Sequence, residues 1–169
     1  MDAKYSLAVL GLGVMGRSLA QNFERNGFPV TGFDIAPRLP ADFHAHVTHS
    51  LSELAGSLEL PRTILMMVPA GEPVDAAIAS VKPFLQPGDI LIDGGNSYFA
   101  DTQRRVAHLA EDGLLFVGMG VSGGESGALF GPSLMPGGMP AAWPRLEPLL
   151  TAIAAKAEDG APCVAWMGS

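Results

Sequence analysis

The chain has 169 residues, of which 48% are hydrophobic and 16% are charged, and its net charge is −7. This composition is typical of one globular domain that is rich in buried strands, and it excludes a disordered chain. The acidic balance, the absence of a Lys/Arg cluster and the few aromatic residues argue against a nucleic-acid-binding face.

The sequence also bears on location and redox chemistry. The single cysteine, Cys163, excludes an internal disulfide and is typical of a reducing compartment. No apolar run reaches transmembrane length, and the first residues, Met1–Lys4, lack a signal-peptide pattern. We therefore expect a cytoplasmic protein that does not bind membranes.

The first apolar run, residues 7–10, predicts a buried parallel strand, and a G-x-G-x-x-G turn follows it. This turn consists of Gly11, Leu12, Gly13, Val14, Met15 and Gly16. Gly11 permits the tight turn, Gly13 lets a pyrophosphate approach the backbone, and Gly16 lets a helix pack closely on the sheet. That helix, predicted over residues 14–26, directs free N–H groups and a partial positive charge at the phosphates.

A second strand is predicted over residues 28–34, and it ends in Asp34. Asp34 lies 18 positions after Gly16, close to where a dinucleotide-binding fold places the carboxylate that binds the adenosine ribose. The alternative is a solvated aspartate at the end of a strand. The complete strand, glycine turn, helix, strand and acid in sequence favour dinucleotide binding over that alternative.

The rest of the chain predicts further alternation of strands and helices. Residues 35–50 are expected to be irregular, with one short strand near Val47, and Ser50 or Ser52 is expected to cap the next helix. The later predictions are helices over 51–58, 72–85, 98–112 and 141–157, and strands over 63–68, 89–93, 114–119 and 163–167. Arg104 and Arg105 are placed on the polar side of their helix.

This alternation predicts a doubly wound parallel α/β sheet, the Rossmann dinucleotide-binding fold, as a single domain over residues 1–169. The glycine-rich segments 120–127 and 131–138 suggest backbone pressed against a ligand. His44, His46 and His49 cluster in the irregular segment. A metal site there is conceivable, but no acid or cysteine at ligand spacing completes it, so exposed loop histidines are favoured.

Three segments together with the glycine turn make a specific resemblance. They are Asp93–Ser97 (DGGNS), Val121–Glu125 (VSGGE) and Gly131–Gly138 (GPSLMPGG). The chain resembles the N-terminal domain of 6-phosphogluconate dehydrogenase (decarboxylating), of the β-hydroxyacid dehydrogenase superfamily. The resemblance implies oxidation of 6-phosphogluconate by a nicotinamide cofactor, loss of carbon dioxide to give ribulose 5-phosphate, and a homodimeric full-length enzyme.

The resemblance also implies roles for particular residues. The glycine turn would hold the pyrophosphate, and Val68, Pro69 and Ala70 would line the cofactor. Asn96 would touch both nicotinamide and substrate, and Ser122, Gly123 and Gly124 would hold the carboxylate and hydroxyl region of the substrate. Asn96 and Ser122 could instead serve only as turn residues that bind their own backbone.

The sequence departs from the family first at the end of the second strand. The family has Asn-Arg there, whereas this chain has Asp34-Ile35, and a carboxylate repels the 2′-phosphate of NADP. We therefore expect NAD to be preferred, with NADP possible because Arg38 lies close behind. The segment between Asp34 and Thr63 is also short, which could leave the adenine side of the pocket open.

The second departure concerns catalysis. The family's Lys base follows a Gly-Ala-Gly-His stretch that this sequence does not include, and Lys82 and Lys156 fit solvated helix positions. We expect a chain that binds the dinucleotide, has no catalytic residue of its own and turns over substrate negligibly. Leu146, Leu149, Leu150 and Ile153 are expected to add to an exposed apolar face. Two alternatives stay open: a stand-alone dinucleotide sensor, or a relative acting on another β-hydroxyacid such as 3-hydroxyisobutyrate.

Overall fold

The computed structural model describes residues 4–169, so residues 1–3 of the predicted domain, and most of the segment judged for a signal peptide, lie outside the described part. The strands are β1 (Leu7–Leu10), β2 (Val30–Phe33), β3 (His46–Val47), β4 (Thr63–Met66), β5 (Ile90–Asp93), β6 (Leu115–Ser122) and β7 (Ser133–Gly138). The helices are α1 (Val14–Arg25), α2 (Leu51–Ser57), α3 (Glu72–Val81), α4 (Phe99–Ala110), α5 (Gly124–Phe130) and α6 (Trp143–Ile153).

The strands form one seven-stranded sheet in the order β3-β2-β1-β4-β5-β6-β7. All neighbouring pairs are parallel except β6 and β7. The chain moves outward from β1 to β3 and then returns to place β4 on the other side of β1. In such sheets ligands bind at this switch point, outside the carboxyl ends of the strands. The predicted doubly wound α/β fold is confirmed.

Both faces of the sheet are covered, which explains why β1 is apolar at every position rather than alternately. Along β1, Leu7 and Val9 face a core that includes residues of α1 and α6, while Ala8 and Leu10 face a core that includes residues of α2, α3 and α4. All four side chains are at most 7% exposed. The sheet edge that carries the glycine turn is therefore held by packing on both sides.

Most predicted elements are confirmed to within a few residues at their ends. Ser50 is the N-cap of α2, where its hydroxyl accepts the backbone N–H of Glu53 at 3.1 Å. The expected irregular segment contains only the two-residue strand β3.

The glycine-rich segments near the carboxyl end of the chain, for which no helix or strand was predicted, form regular elements. Residues 124–130 form a helix, and residues 133–138 form an antiparallel strand. The glycines at 131, 137 and 138 meet other backbone rather than open space: a Cβ at Gly138 would lie 2.6 Å from the Phe116 carbonyl oxygen. No strand forms over 163–167, where Val164 makes only an isolated bridge to Leu134. Tight packing of backbone on backbone thus accounts for several of these glycines.

Two side-chain predictions also fail. Arg105 lies inward from α4 and is 2% exposed, whereas Arg104 remains on the surface. Leu146, Leu150 and Ile153 of α6 are buried in the core, and Leu149 packs against it half-buried, so the expected exposed apolar face does not form from these residues. Across residues 4–169, no helix combines the length and apolar character needed to cross a bilayer.

Candidate functional site at the carboxyl edge of the sheet

The glycine turn leaves β1 at the switch point and leads directly into α1. Gly11 adopts φ +97°, and a Cβ there would lie 2.6 Å from the carbonyl oxygen of Met67. A Cβ on Gly16 would lie 1.9 Å from the carbonyl oxygen of Gly11. These two glycines are therefore required by the fold itself, because the turn, β4 and α1 pack together without room for a side chain.

Gly13 differs from its two neighbours in the motif. It is exposed, its φ of −63° suits any residue, and a Cβ there would meet no atom within 4 Å. It is the N-cap of α1, and among the described residues no side chain caps that helix. The first N–H groups of α1 therefore face open space with a partial positive charge, which is the arrangement that binds a phosphate.

Asp34 comes directly after β2 and is bound to the glycine turn. Its Oδ2 accepts the Leu12 N–H at 2.7 Å, and its Oδ1 accepts the Ala36 N–H at 2.8 Å. The half-buried carboxylate is therefore fixed in position while each oxygen keeps a lone pair for a further donor. The neighbouring Ile35 is 94% exposed and borders the same cavity as Asp34.

A mainly apolar slot of about 350 Å³ runs from Asp34 across the switch point. Its floor comes from the ends of β1 and β2, and its walls come from α2, α3 and the segment after β4. The side chains that form these walls are Leu51, Val68, Pro69, Pro73, Ala76 and Ala77. Of the short segment between Asp34 and Thr63, Ile35 and Leu51 line the slot.

The segment after β4 connects the glycine turn to the segment after β5. Val68 lies against Gly11, and the Val68 carbonyl oxygen would be 2.5 Å from a Cβ at Gly95. Pro69 and Ala70 are exposed beside them. Val68, Pro69 and Ala70 thus lie at the same edge of the sheet as the glycine turn, which agrees with the prediction from the sequence.

Asn96 is the only described non-glycine residue with positive φ, at +55°. Its side chain does not bind its own turn, as the alternative interpretation would require. Instead, its Oδ1 accepts the Val121 N–H at 2.9 Å, and its Nδ2 lies 3.4 Å from the Val121 carbonyl oxygen. The pair of contacts aligns the amide with the backbone of β6, next to Ser122.

Ser122, Gly123 and Gly124 are exposed where β6 turns into α5. Gly123 has φ +128°, and a Cβ there would lie 2.9 Å from the Cα of Gly127. The structure therefore brings Asn96 and this turn together, as predicted. Every predicted site residue lies along one continuous rim that runs from Asp34 past the glycine turn to Ser122.

Sequence reasoning missed the ionic cluster beneath this rim. Arg105 contacts Asp75 at 2.9 and 3.1 Å, Asp93 at 3.2 Å and the Gly71 carbonyl oxygen at 2.9 Å. The Arg105 hydrogen bond is the main reason that the pKa of Asp75 falls to about 2. The signal that could have revealed this cluster is spacing, because Arg105 lies four residues before the buried Leu109 on the same face of α4.

The histidines and lysines lie elsewhere. His46 stacks on Tyr5 with ring centroids 5.3 Å apart, so it is not simply an exposed loop residue. Within residues 4–169, no three His, Cys, Asp or Glu side chains are grouped to hold a metal ion. Lys82 pairs with Asp112 and Lys156 donates to the Thr151 carbonyl oxygen, both away from the rim.

Together the fold and the rim define a dinucleotide-binding domain: a glycine turn at the switch point, an open helix N-terminus, a fixed acid after β2 and an adjacent apolar slot. The profile of the family described as the NAD binding domain of 6-phosphogluconate dehydrogenase matches residues 6–168. The chain belongs to this family of NAD(P)-binding oxidoreductase domains.

Named relatives agree with this assignment. The chain is 51% identical to 6-phosphogluconate dehydrogenase, decarboxylating, of Synechococcus elongatus, over 98% of this chain and 37% of the relative. It is 50% identical to the enzyme of the same name from Treponema pallidum, over 96% of this chain and 35% of that protein. The chain thus spans about a third of the length of the curated relatives that it matches.

Solved structures give the same result. The structure of Plasmodium falciparum 6-phosphogluconate dehydrogenase, described with its cofactor NADP+ and its substrate 6-phosphogluconate, superimposes with a TM-score of 0.86. It is 30% identical and is matched over 96% of this chain and 36% of its own. A 3-hydroxyisobutyrate dehydrogenase from Mycobacterium tuberculosis gives a TM-score of 0.81 at 30% identity, over 98% of this chain and 55% of that one.

Proposed function

We propose that the chain is the cofactor domain of a 6-phosphogluconate dehydrogenase that prefers NAD and is inactive as this 169-residue piece. The observation that carries the proposal is the Asp34 carboxylate, fixed by the Leu12 N–H beside the open N-terminus of α1. A dinucleotide needs both features at one edge of the sheet, the carboxylate for the ribose and the helix N-terminus for the pyrophosphate.

The residues present fit such a cofactor along the whole rim. The open space over Gly13 admits the pyrophosphate against the helix N-terminus. The slot beside Asp34 has the flat apolar walls that an adenine ring requires. The segment Val68–Ala70 and Asn96 lie farther along the rim, where the nicotinamide end would reach. When bound, the nicotinamide would supply the hydride acceptor.

The preference for NAD rests on charge. A 2′-phosphate would carry between one and two negative charges and would lie against the Asp34 carboxylate, whose lone pairs suit the free hydroxyls of a ribose. The family relative from Plasmodium falciparum has NADP+ as its cofactor. Arg38 follows Asp34 by four positions, and the Arg17 guanidinium donates to the Arg38 carbonyl oxygen at 3.4 Å, so we still expect weak NADP binding.

We propose Asn96, Ser122, Gly123 and Gly124 as the substrate end of the site. They offer an amide, a hydroxyl and exposed N–H groups at one place, which suits an anionic sugar acid. The oxidation also needs a base for the substrate hydroxyl. All three lysines of the sequence bond elsewhere, including Lys4, which donates to the Gly56 carbonyl oxygen, so turnover by this piece should be negligible.

The family resemblance supports further proposals about the whole protein. We propose that residues 1–169 form one domain, that the complete enzyme carries a helical substrate domain, and that it acts as a cytoplasmic homodimer. The product pair for the complete enzyme would be ribulose 5-phosphate and carbon dioxide.

The test is to titrate the NAD-saturated chain with 6-phosphogluconate and, separately, with 3-hydroxyisobutyrate, and to monitor the backbone amide signals by NMR. Shifts at Asn96 and at residues 122–124 with 6-phosphogluconate support the proposal. Shifts with 3-hydroxyisobutyrate alone would favour the other β-hydroxyacid branch, for which the Mycobacterium tuberculosis structure is the supporting similarity. Shifts with neither acid would contradict the substrate assignment and favour a dinucleotide sensor. Formation of NADH by the chain alone, measured by absorbance, would contradict its proposed inactivity.

A further inference from the structure

The ionic cluster around Arg105 lies directly beneath the two segments of the rim that carry the nicotinamide end of the proposed site. Arg105 is 2% exposed, so its charge is compensated entirely by protein groups. One edge of its guanidinium contacts Asp75 and the Gly71 carbonyl oxygen, at the start of α3. The other contacts Asp93 and the Ser97 hydroxyl, at the end of β5.

Asp93 transmits this contact to the backbone around Asn96. Its Oδ1 accepts the Gly95 N–H at 3.0 Å, and its Oδ2 accepts the Ser97 hydroxyl at 2.6 Å. The two residues that flank Asn96 are therefore both bound to a carboxylate that Arg105 neutralises. The side chain of Asn96 is in turn aligned with Val121.

We infer that Arg105 is a positioning residue for the nicotinamide end of the site, because it fixes the segment after β4 relative to the segment that carries Asn96. The inference rests on the proposed function for its ligand. The geometry is suited to a guanidinium, since one planar fork reaches four acceptors on two segments, whereas a lysine ammonium is a single point of contact. The strained φ of Asn96 is held by the same contacts.

Arg104 provides a matched control. It is adjacent in sequence, carries the same charge and also pairs with Asp75, at 2.9 Å, but it is exposed and does not reach Asp93. Arg104→Lys and Arg105→Lys therefore both weaken a contact with Asp75, and only Arg105→Lys loosens the segment with Asn96. Ser97→Ala is a milder second variant, which removes one hydroxyl from the cluster and retains every charge.

The experiment measures the affinities of NAD and of ADP-ribose, which has the same adenosine and pyrophosphate but no nicotinamide. Loss of one well-placed hydrogen bond corresponds to about a fivefold change in affinity. Arg105→Lys should therefore weaken NAD relative to ADP-ribose by about fivefold, Ser97→Ala should do so to a smaller degree, and Arg104→Lys should leave the ratio unchanged. A purely structural role would weaken both ligands equally, together with the melting temperature.

A second readout requires no ligand. The amide proton of Val121 is bound to Asn96 and should shift in Arg105→Lys and in Ser97→Ala but not in Arg104→Lys. An unchanged ligand ratio and an unchanged Val121 signal in Arg105→Lys and Ser97→Ala would overturn the positioning role. A wild-type chain that binds neither NAD nor ADP-ribose would instead contradict the proposed function, and the Val121 signal would still decide the role of Arg105.

Discussion

The substitution Gly13→Ala distinguishes a glycine that is needed for ligand binding from one that is needed for folding. Gly13 already has dihedral angles that alanine adopts, and a Cβ there would touch no protein atom within 4 Å. Alanine reduces the freedom of the unfolded chain, which stabilises by about 0.4–1 kcal/mol, but it is a poorer N-cap by a similar amount. These effects oppose each other, so the free energy of unfolding should stay within about 0.5 kcal/mol of the wild type.

Binding should respond quite differently. The new methyl group occupies the space through which a pyrophosphate reaches the first N–H groups of α1. A hydrogen bond from such a group to a charged phosphate contributes about 1.5–3 kcal/mol. Loss of one of them should therefore weaken NAD binding by about 10-fold to 150-fold.

Calorimetry for NAD and chemical denaturation for stability would measure the two effects on the same protein. Gly56→Ala is the control, because Gly56 is an exposed residue of α2 with no atom within 4 Å of an added Cβ, and it is remote from the rim. It should stabilise the chain slightly and leave NAD binding unchanged. Unchanged NAD affinity in Gly13→Ala would refute the assignment of this turn as the pyrophosphate site.

Two further predictions concern charge. Asp34→Asn combined with Ile35→Arg should raise the ratio of NADP affinity to NAD affinity at least 10-fold. The double change removes a repulsion of about 1 kcal/mol or more between the carboxylate and the 2′-phosphate, and it adds a guanidinium that can bind that phosphate. Calorimetry that shows no gain in the ratio would refute this prediction. Asp75→Asn should destabilise the chain at pH 7. The pKa of Asp75 is about 2 in the fold against an ordinary 3.8, so its stabilising contribution is present above about pH 4 and is lost as the pH falls towards 2. Chemical denaturation would contradict this linkage if the free energies of unfolding of the wild type and of Asp75→Asn differed by the same amount at pH 7 and at pH 3.

The amino-acid sequence was informative where local pattern and burial coincide. The run before Gly11 is apolar at every position because β1 is covered on both faces, and this made the strand and the glycine turn recognisable. Asp34 was recognisable by its distance from that turn. Such features depend on residues that are close in sequence or that recur at fixed intervals.

The remainder depended on contacts between distant residues. Arginine is usually a surface residue, so the sequence placed Arg105 on the polar side of its helix. Only the fold shows that Asp75 and Asp93 contact it from two different elements. In the amino-acid sequence, the glycines of β7 cannot be distinguished from glycines that contact a ligand. Gly138 is in fact small because β6 packs against it, with the Phe116 carbonyl oxygen in the place of a side chain.

The most direct test of this account is a calorimetric titration of the 169-residue chain with NAD and with NADP at one fixed ionic strength. We expect both to bind through the glycine turn, with NAD bound more tightly because of Asp34. Tighter binding of NADP would contradict the role of Asp34 in cofactor choice. No binding of either dinucleotide would contradict the function proposed for the rim.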